Sequence, residues 1–228
     1  DVSGILAADP RIIPSPRAIK EITYAELREL SYMGASVLHE ETVFPVQQLN
    51  IPINLKNTND PDHPGTLIKN VCTDESSIVT GIAGKKDFLS FNISKDHMSN
   101  EVGFLRRALS VFEKYNVSIE HIPSGIDSFS VVVSQASVEK CQYELVTDLK
   151  KTLDADVSIE SDIALVAIVG RNMAKRSGIC GTIFQTLGEQ KINVKLLAQG
   201  PEELNIIIGV ASKDYEQTIR SLYNNLVA

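Results

Sequence analysis

The sequence predicts an α+β protein of two ferredoxin-like βαββαβ units, the first inserted in the second, preceded by the end of an α/β domain. Three observations predict it. Residues 88–135 repeat without a gap as residues 163–210, at an offset of 75. Met98 falls on Met173, Gly103 on Gly178 and Gly125 on Gly200, and the apolar positions follow, with Phe104 on Ile179, Phe112 on Leu187 and Phe129 on Leu204. Within each copy the apolar spacing switches between strand and helix periods. Lastly, the second copy is one strand short, because the strand at 156–160 has no counterpart before Ala228.

The elements follow in order. From Asp1 to Ile68 the chain is rich in Pro and turn signals around one clear helix, with Thr23 and Glu26 spaced as a capping box. Leu27, Leu30, Met33, Val37 and Leu38 then recur at helical spacing, and the Gly34-Ala35 step allows another element to approach closely. Residues 51–56 read as a short strand running into the turn-rich segment 57–65. This part has too few strands to bury a core of its own.

In the first copy, residues 88–94 form a strand and 95–100 a polar loop. A helix over 102–115 carries Phe104, Leu105, Ala108, Leu109 and Phe112 on one face. Strands at 117–122 and 129–134, a helix over 138–153 and a strand at 156–160 complete the unit. In the second copy, strands at 163–169, 194–198 and 204–210 accompany helices over 179–189 and 214–226. An open sheet edge needs covering. The spare strand at 78–83 is predicted to complete the second unit, so that the domains are 1–68, 88–161, and 77–87 plus 162–228.

Of the 228 residues 43% are apolar and 22% charged, and the formal net charge is −7. That balance argues against nucleic acid as a partner, since a phosphate-tracking surface needs clustered Lys and Arg. No apolar run approaches a bilayer span, so no membrane partner is expected. Cys72, Cys141 and Cys180 are odd in number and widely spaced, and the four histidines show no ligand spacing. No metal site is expected, and reduced cysteines fit a cytoplasmic protein. The start at Asp1, inside what reads as structured text, suggests a fragment.

The best candidate site is the loop-to-helix step from Met98 to Leu105. Ser99 or Asn100 is expected to cap the helix, Gly103 lets a ligand approach the backbone, and the positive helix end suits a carboxylate. Glu120 and Asp127, after the following strand, would supply negative charge for an ammonium. A free amino acid carries both charges. The bland alternative is a Gly that eases a tight loop and a Glu in solvent. The second copy places Lys195 at the Glu120 position and Lys175 and Arg176 beside Gly178, so it is not expected to take the same ligand. Asp1 to Arg11 is a loop whose carboxylates and Arg are spaced for a nucleotide. No catalytic set can be assembled elsewhere.

Several segments, in order, resemble one family. Asp1 to Arg11, Gly34-Ala-Ser-Val-Leu-His39, Ile51 to Thr58 and Pro64-Gly-Thr-Leu67 resemble the end of the aspartokinase catalytic domain. Asn92 to Met98, Val102-Gly-Phe-Leu105 and Ser118 to Asp127 look like the first ACT domain of the monofunctional, lysine-type enzymes, and Ile192 to Gly200 resembles the second. The resemblance implies a parent enzyme that phosphorylates aspartate with ATP and Mg and is shut down by end-product amino acids, lysine and perhaps threonine, at tandem ACT domains. It places Asp1, Asp9 and Arg11 in the nucleotide-binding stretch. Effector contacts map to Met98, Glu101, Gly103, Phe104, Leu105, Ser118, Ile119 and Glu120, with Ser124 and Gly125 near a dimer seam. A homodimer or higher homo-oligomer is implied.

Three departures qualify the match. The Lys-Phe-Gly-Gly motif that carries catalysis in the family is missing, so this chain alone is expected to be inactive and to hold no cofactor. Ser36 stands where many members have Lys. Glu120 replaces an Asp and Leu6 a Tyr, which leaves the effector open. The rival reading is an ACT module that only dimerises and binds nothing.

Overall fold

The structure is a computed structural model that describes residues 2–35, 40–74 and 77–227. The chain divides into two compact units, an outer one of Asp1–Lys85 with Leu165–Ala228 and an inserted one of Lys86–Ala164.

The outer unit opens with two short strands, β1 (Ile5–Leu6) and β2 (Ala18–Ile19), paired antiparallel. Then come β3 (Glu21–Thr23), α1 (Tyr24–Tyr32), α2 (Glu40–Gln48), β4 (Ile53–Leu55) and β5 (Thr66–Lys69). β5 is central, parallel to β3 and antiparallel to β4. The capping box on α1 forms as its spacing predicts: Glu26 N donates to Thr23 Oγ1, and Thr23 N donates to Glu26 Oε2. Leu27, Leu30 and Met33 are buried on its core face, while Val37 and Leu38 lie outside the described residues. Gly34 takes φ +109, and a Cβ there would meet the Gly84 carbonyl at 3.1 Å. The close approach expected of the Gly34-Ala35 step is made.

Next comes β6 (Gly81–Ser94), a single strand of 14 residues where the sequence suggests two. The polar stretch Lys85-Lys86-Asp87 reads as a break, but the strand runs through it, with Asp87 in the left-handed region at φ +66. In the inserted unit it is followed by α3 (Phe104–Lys114), β7 (Ser128–Ser134), α4 (Gln135–Val138) and α5 (Gln142–Leu153). The helix predicted over 138–153 starts later, at Gln142, and the short α4 precedes it. β8 (Asp156–Val169) again fuses two predicted strands, and Asp162, 75 residues after Asp87, is again left-handed at φ +62. The inserted sheet has the order β7–β6–β8, with β6 and β7 antiparallel from Phe88↔Ser134 to Ser94↔Ser128.

Its core is the alternating face of β6 (Leu89, Phe91, Ile93) packed on α3 and α5 through Ala108, Phe112, Leu145 and Leu149. Phe91 and Phe112 meet edge to face with centroids 5.3 Å apart. On α3, Val111 joins the buried face and Leu105 is exposed, a one-position rotation of the expected stripe.

The strand predicted at 117–122 does not form. This segment makes spaced bonds to β7, Glu120 N to Val132 O and Val132 N to His121 O (both 2.9 Å), and a lone bridge at His121. Pro123 has no N–H to continue the ladder. The second copy has Ala198 at that position, and there a true strand forms.

The chain returns to the outer unit with α6 (Ile179–Glu189), β9 (Leu196–Gln199), β10 (Asn205–Ala211) and α7 (Tyr215–Leu226). The outer sheet runs β6–β8–β10–β9, with β9 and β10 antiparallel. The start of β6 therefore supplies the strand that the second copy lacks, and Thr80 N already donates to Val169 O at 2.8 Å.

One polar network crosses the outer unit. Glu26 is fully buried and receives Thr80 Oγ1 at 2.5 Å, Arg171 N at 3.0 Å and the Arg171 guanidinium at 3.0 Å. Nearby, Arg17 N donates to the Tyr223 hydroxyl, and Arg17 Nη2 to Val79 O.

Candidate functional site

In the inserted unit, β6 ends at Ser94 and the chain turns through Lys95, whose N–H donates to Asp127 O at 3.1 Å. His97 is left-handed, and Met98–Asn100 form one 3₁₀ turn. Ser99 and Asn100 are spent in that turn, so neither caps α3 as expected. The N-cap is Gly103, left-handed at φ +78, and no side chain caps the helix. With no Cβ, Gly103 holds this conformation without the steric cost that an L side chain brings. The uncapped first turn of α3 leaves backbone donors and the positive helix end available to an anion.

A cavity of about 260 Å³ opens beside this turn. Of the ten expected effector residues, Met98, Glu101, Gly103, Phe104, Leu105 and Ser124 line it. Ser118, Ile119 and Glu120 do not, and neither does Gly125, whose N–H closes a turn on Ser128 O at 2.7 Å. Ser118 is exposed, and Ile119 packs against the core. Glu120 is half-buried with its N–H bonded to Val132 O. Glu120 was expected there through a regular strand at 117–122, which Pro123 interrupts, while Ser118 and Ile119 rest on the family resemblance. Arg106 and Phe129 also line the cavity and were not anticipated. Phe129 was legible, since it opens the alternating apolar face of β7 and meets Phe104 edge to face at 6.1 Å. Arg106 carries no signal in the pattern.

The carboxylate at the cavity is Glu101. It bonds Lys95 at 3.1 Å and Arg107 on the other oxygen. The Lys95 ammonium, with Arg107 behind it, holds this carboxyl below the usual carboxylate range. Both cations also lie over the Phe104 ring, 5.7 and 5.6 Å from its centroid. The site therefore combines apolar walls, an uncapped helix end and a carboxylate shared between two cations. That set can take a zwitterion whose carboxylate meets the helix end and whose ammonium competes for Glu101.

The second copy reproduces the backbone and changes the charge. Met173–Lys175 form the matching 3₁₀ turn, and Gly178 at φ +92 is the uncapped N-cap of α6. Its position matching Glu101 is Arg176, and that matching Glu120 is Lys195.

The predicted nucleotide residues lie in the outer unit. Asp1 falls outside the described residues, as does Ser36. Asp9 and Arg11 border a cavity of about 370 Å³ with Gly4, Gly34, Gly84 and Tyr215. The Arg11 guanidinium bonds both Asp9 oxygens at 2.6–3.0 Å, which holds the Asp9 carboxyl below its ordinary value. Tyr215 donates its hydroxyl to Gly84 O at 2.8 Å, and burial pushes its phenol up. A phosphate would have to draw Arg11 away from Asp9. Among the described residues, no group of three His, Cys, Asp or Glu is placed to hold a metal ion, and no helix is long and apolar enough to cross a membrane.

Two family models match the sequence, the amino acid kinase family over residues 1–57 and the ACT domain over residues 166–226. Aspartokinase 3 of Bacillus subtilis (strain 168) is 34% identical over 230 residues, which are 100% of this chain and 51% of the relative. The crystal structure of Clostridium acetobutylicum aspartate kinase superposes with a TM-score of 0.95 at 47% identity, over 99% of this chain and 53% of that one. Aspartokinase III of E. coli, solved in complex with lysine and aspartate (T-state), gives a TM-score of 0.83 at 27% identity, over 100% and 51%. Its complex with aspartate and ADP (R-state) gives 0.84 at 26%, over the same shares. The chain spans about half the length of the curated relatives it matches.

Proposed function

The chain belongs to the aspartokinase family, and from that premise we propose that it is the carboxy-terminal regulatory part of an aspartate kinase, binding an end-product amino acid for feedback inhibition. The parent would transfer a phosphoryl group from ATP, with Mg, to the side-chain carboxylate of aspartate in the cytoplasm. In this division of labour residues 1–68 end the catalytic domain, 88–161 form the sensing ACT domain, and 77–87 with 162–228 the second. Asp9 and Arg11 would meet nucleotide in the full-length enzyme, where an aspartokinase has been solved with ADP.

One observation carries the effector reading: the cavity lies at the uncapped, left-handed amino end of α3 and holds a carboxylate, so both charges of an amino acid meet a partner. Lysine is the first candidate, because a relative has been solved with lysine. Threonine is the second. Binding would act by population shift, and only through a difference in affinity between two states.

Isothermal titration of the folded chain with L-lysine and L-threonine tests the reading. Saturable heat with one of them supports it, and no heat with either at millimolar concentration sinks it. Glu101→Gln should weaken binding through the ammonium. Glu120→Ala tests the carboxylate that the family pattern favours, and an unchanged affinity removes it from the site.

Side-by-side assembly into a homodimer is part of the proposal, supported by two large apolar side chains beside the site, Val102 (96% exposed) and Ile126 (76% exposed). The same surface suits the rival reading, a scaffold that only dimerises. A thermal midpoint that rises with amino acid separates the two.

A further inference from the structure

On the helical layer of the inserted unit, a groove of about 440 Å³ runs between α3 and α5. Arg106, Arg107 and Lys114 enter it from α3, and Lys151 and Asp148 from α5. The inserted unit as a whole is acidic, with thirteen carboxylates against eight Lys and Arg. Half of its cations therefore converge on one groove that offers a single carboxylate. Asp148 is already bonded by Lys114 and by the Tyr115 hydroxyl, and Arg107 by Glu101. Arg106 and Lys151 have no ion-pair partner among the described residues.

Local helix chemistry explains only part of this arrangement: Lys114 and Lys151 stand in the last turns of α3 and α5, where the helix dipole favours a cation. Arg106 and Arg107 stand in the first turn of α3, where the helix dipole disfavours a cation. The second copy supplies an internal control on the same fold. At the matching positions α6 has Gly181, Thr182 and Glu189 in place of Arg106, Arg107 and Lys114. Position for position, α7 has Ser221 and Asn224 in place of Asp148 and Lys151. The fold is built without a single cation on that face, so packing is not the reason for four.

We propose that the groove between α3 and α5 is a binding site for a small polyanion, one carrying two or more phosphate or carboxylate groups. The groove adjoins the amino-acid cavity, sharing Arg106 with it and meeting it through the Arg107–Glu101 pair, but its other lining residues are its own. Guanidinium forks from Arg106 and Arg107 suit the paired oxygens of phosphate or carboxylate, and Lys114, further along α3, and Lys151, from α5, add compact positive charge. The volume fits a small molecule. Such a ligand would let the regulatory unit respond to an anionic metabolite as well as to an amino acid.

The test titrates the folded 228-residue chain with tripolyphosphate and with citrate at low ionic strength, by calorimetry. The structure predicts one saturable site that weakens as salt rises, and the tighter of the two probes names the anion's chemistry. Lys151→Glu should weaken it at least tenfold, while Lys140→Glu, the same charge change on an exposed residue outside the groove, should leave it within about twofold. No saturable binding of either probe at millimolar concentration overturns the proposal. So does an equal loss in both variants, which would reduce the effect to overall charge, or an unchanged affinity in Lys151→Glu, which would place the anion elsewhere.

Discussion

Glu26, on the first turn of the first helix, is bound by both the backbone and the guanidinium of Arg171, 145 residues later in the chain. The carboxylate is fully buried and also accepts from Thr23 and Thr80, so it closes the helix start and ties three distant segments of the outer unit together. Such a pair offers little net gain over an apolar replacement, but removing one partner strands the other charge. Glu26→Gln should therefore cost about 3–5 kcal/mol. Glu29→Gln, three residues on and half-buried, should cost about 1 kcal/mol, the worth of its bond to Asn205. Denaturant titration of both variants checks the contrast, and equal losses would refute the role given to Arg171.

The same carboxylate sets an acid limit. Burial alone would raise Glu26, but the bonds from Thr80, Thr23 and Arg171 outweigh it, and its folded value lies below the ordinary 4.5. A depressed carboxylate contributes stability that is complete above its unfolded value and lost as pH falls through the folded one. Stability should thus decline as pH falls below about 4.5, and Glu26→Gln should flatten that limb. Asp9 and Glu101 are also lowered, but they are more exposed, and solvent screening leaves them a minor share. A melting series from pH 7 to 3 in both proteins measures the difference.

Two glycines of the outer unit should respond to alanine with opposite sign. A Cβ on Gly84 would lie 2.7 Å from both Leu165 O and the Tyr215 ring, so backbone and ring would have to part at the edge of the cavity that Asp9 and Arg11 border. Gly84→Ala should cost about 1–3 kcal/mol. Gly181 sits inside α6 with nothing within 4 Å of its missing Cβ. Gly181→Ala should add about 0.5–1 kcal/mol through helix propensity alone. Thermal midpoints moving in the same direction would contradict this account.

Much of the fold is legible because local signals repeat. The 75-residue offset carries over to the 3₁₀ turns at Met98 and Met173, the left-handed Gly103 and Gly178, and the left-handed Asp87 and Asp162. Thr23 announces its capping box with Glu26, since both partners lie within one turn. Arg171, the partner that buries the network, could not be read, because nothing in a sequence pattern links residues that far apart. The failed strand at 117–122 was a missed reading of a visible signal: Pro123 faces Ala198 in the repeat, and only one of them can donate to a ladder. It bears on the candidate site through Glu120, which that strand was expected to present, whereas Ser118 and Ile119 were mapped there by the family resemblance. Arg106 was missed for a different reason, because an exposed cation on a helix has no periodicity to betray which groove it enters.

The repeat also makes its two copies a matched experiment. Gly103 and Gly178 hold the same left-handed N-cap at the start of α3 and α6, and neither site crowds an added Cβ closer than 3.9 Å. Alanine at either position should therefore cost a similar amount, about 1–2 kcal/mol for the left-handed backbone. Their effects on ligand should differ. Gly103 lines the cavity beside Glu101, so a methyl group there narrows the approach to the helix end, while the second copy presents Arg176 and Lys195 and is not expected to take an amino acid. Gly103→Ala should weaken amino-acid binding severalfold or more, and Gly178→Ala should leave it within error. Calorimetry on the two variants, matched for stability, decides the assignment. Equal loss would mean that both copies bind or that the effect travels through stability, and loss in Gly178→Ala alone would move the effector to the second copy.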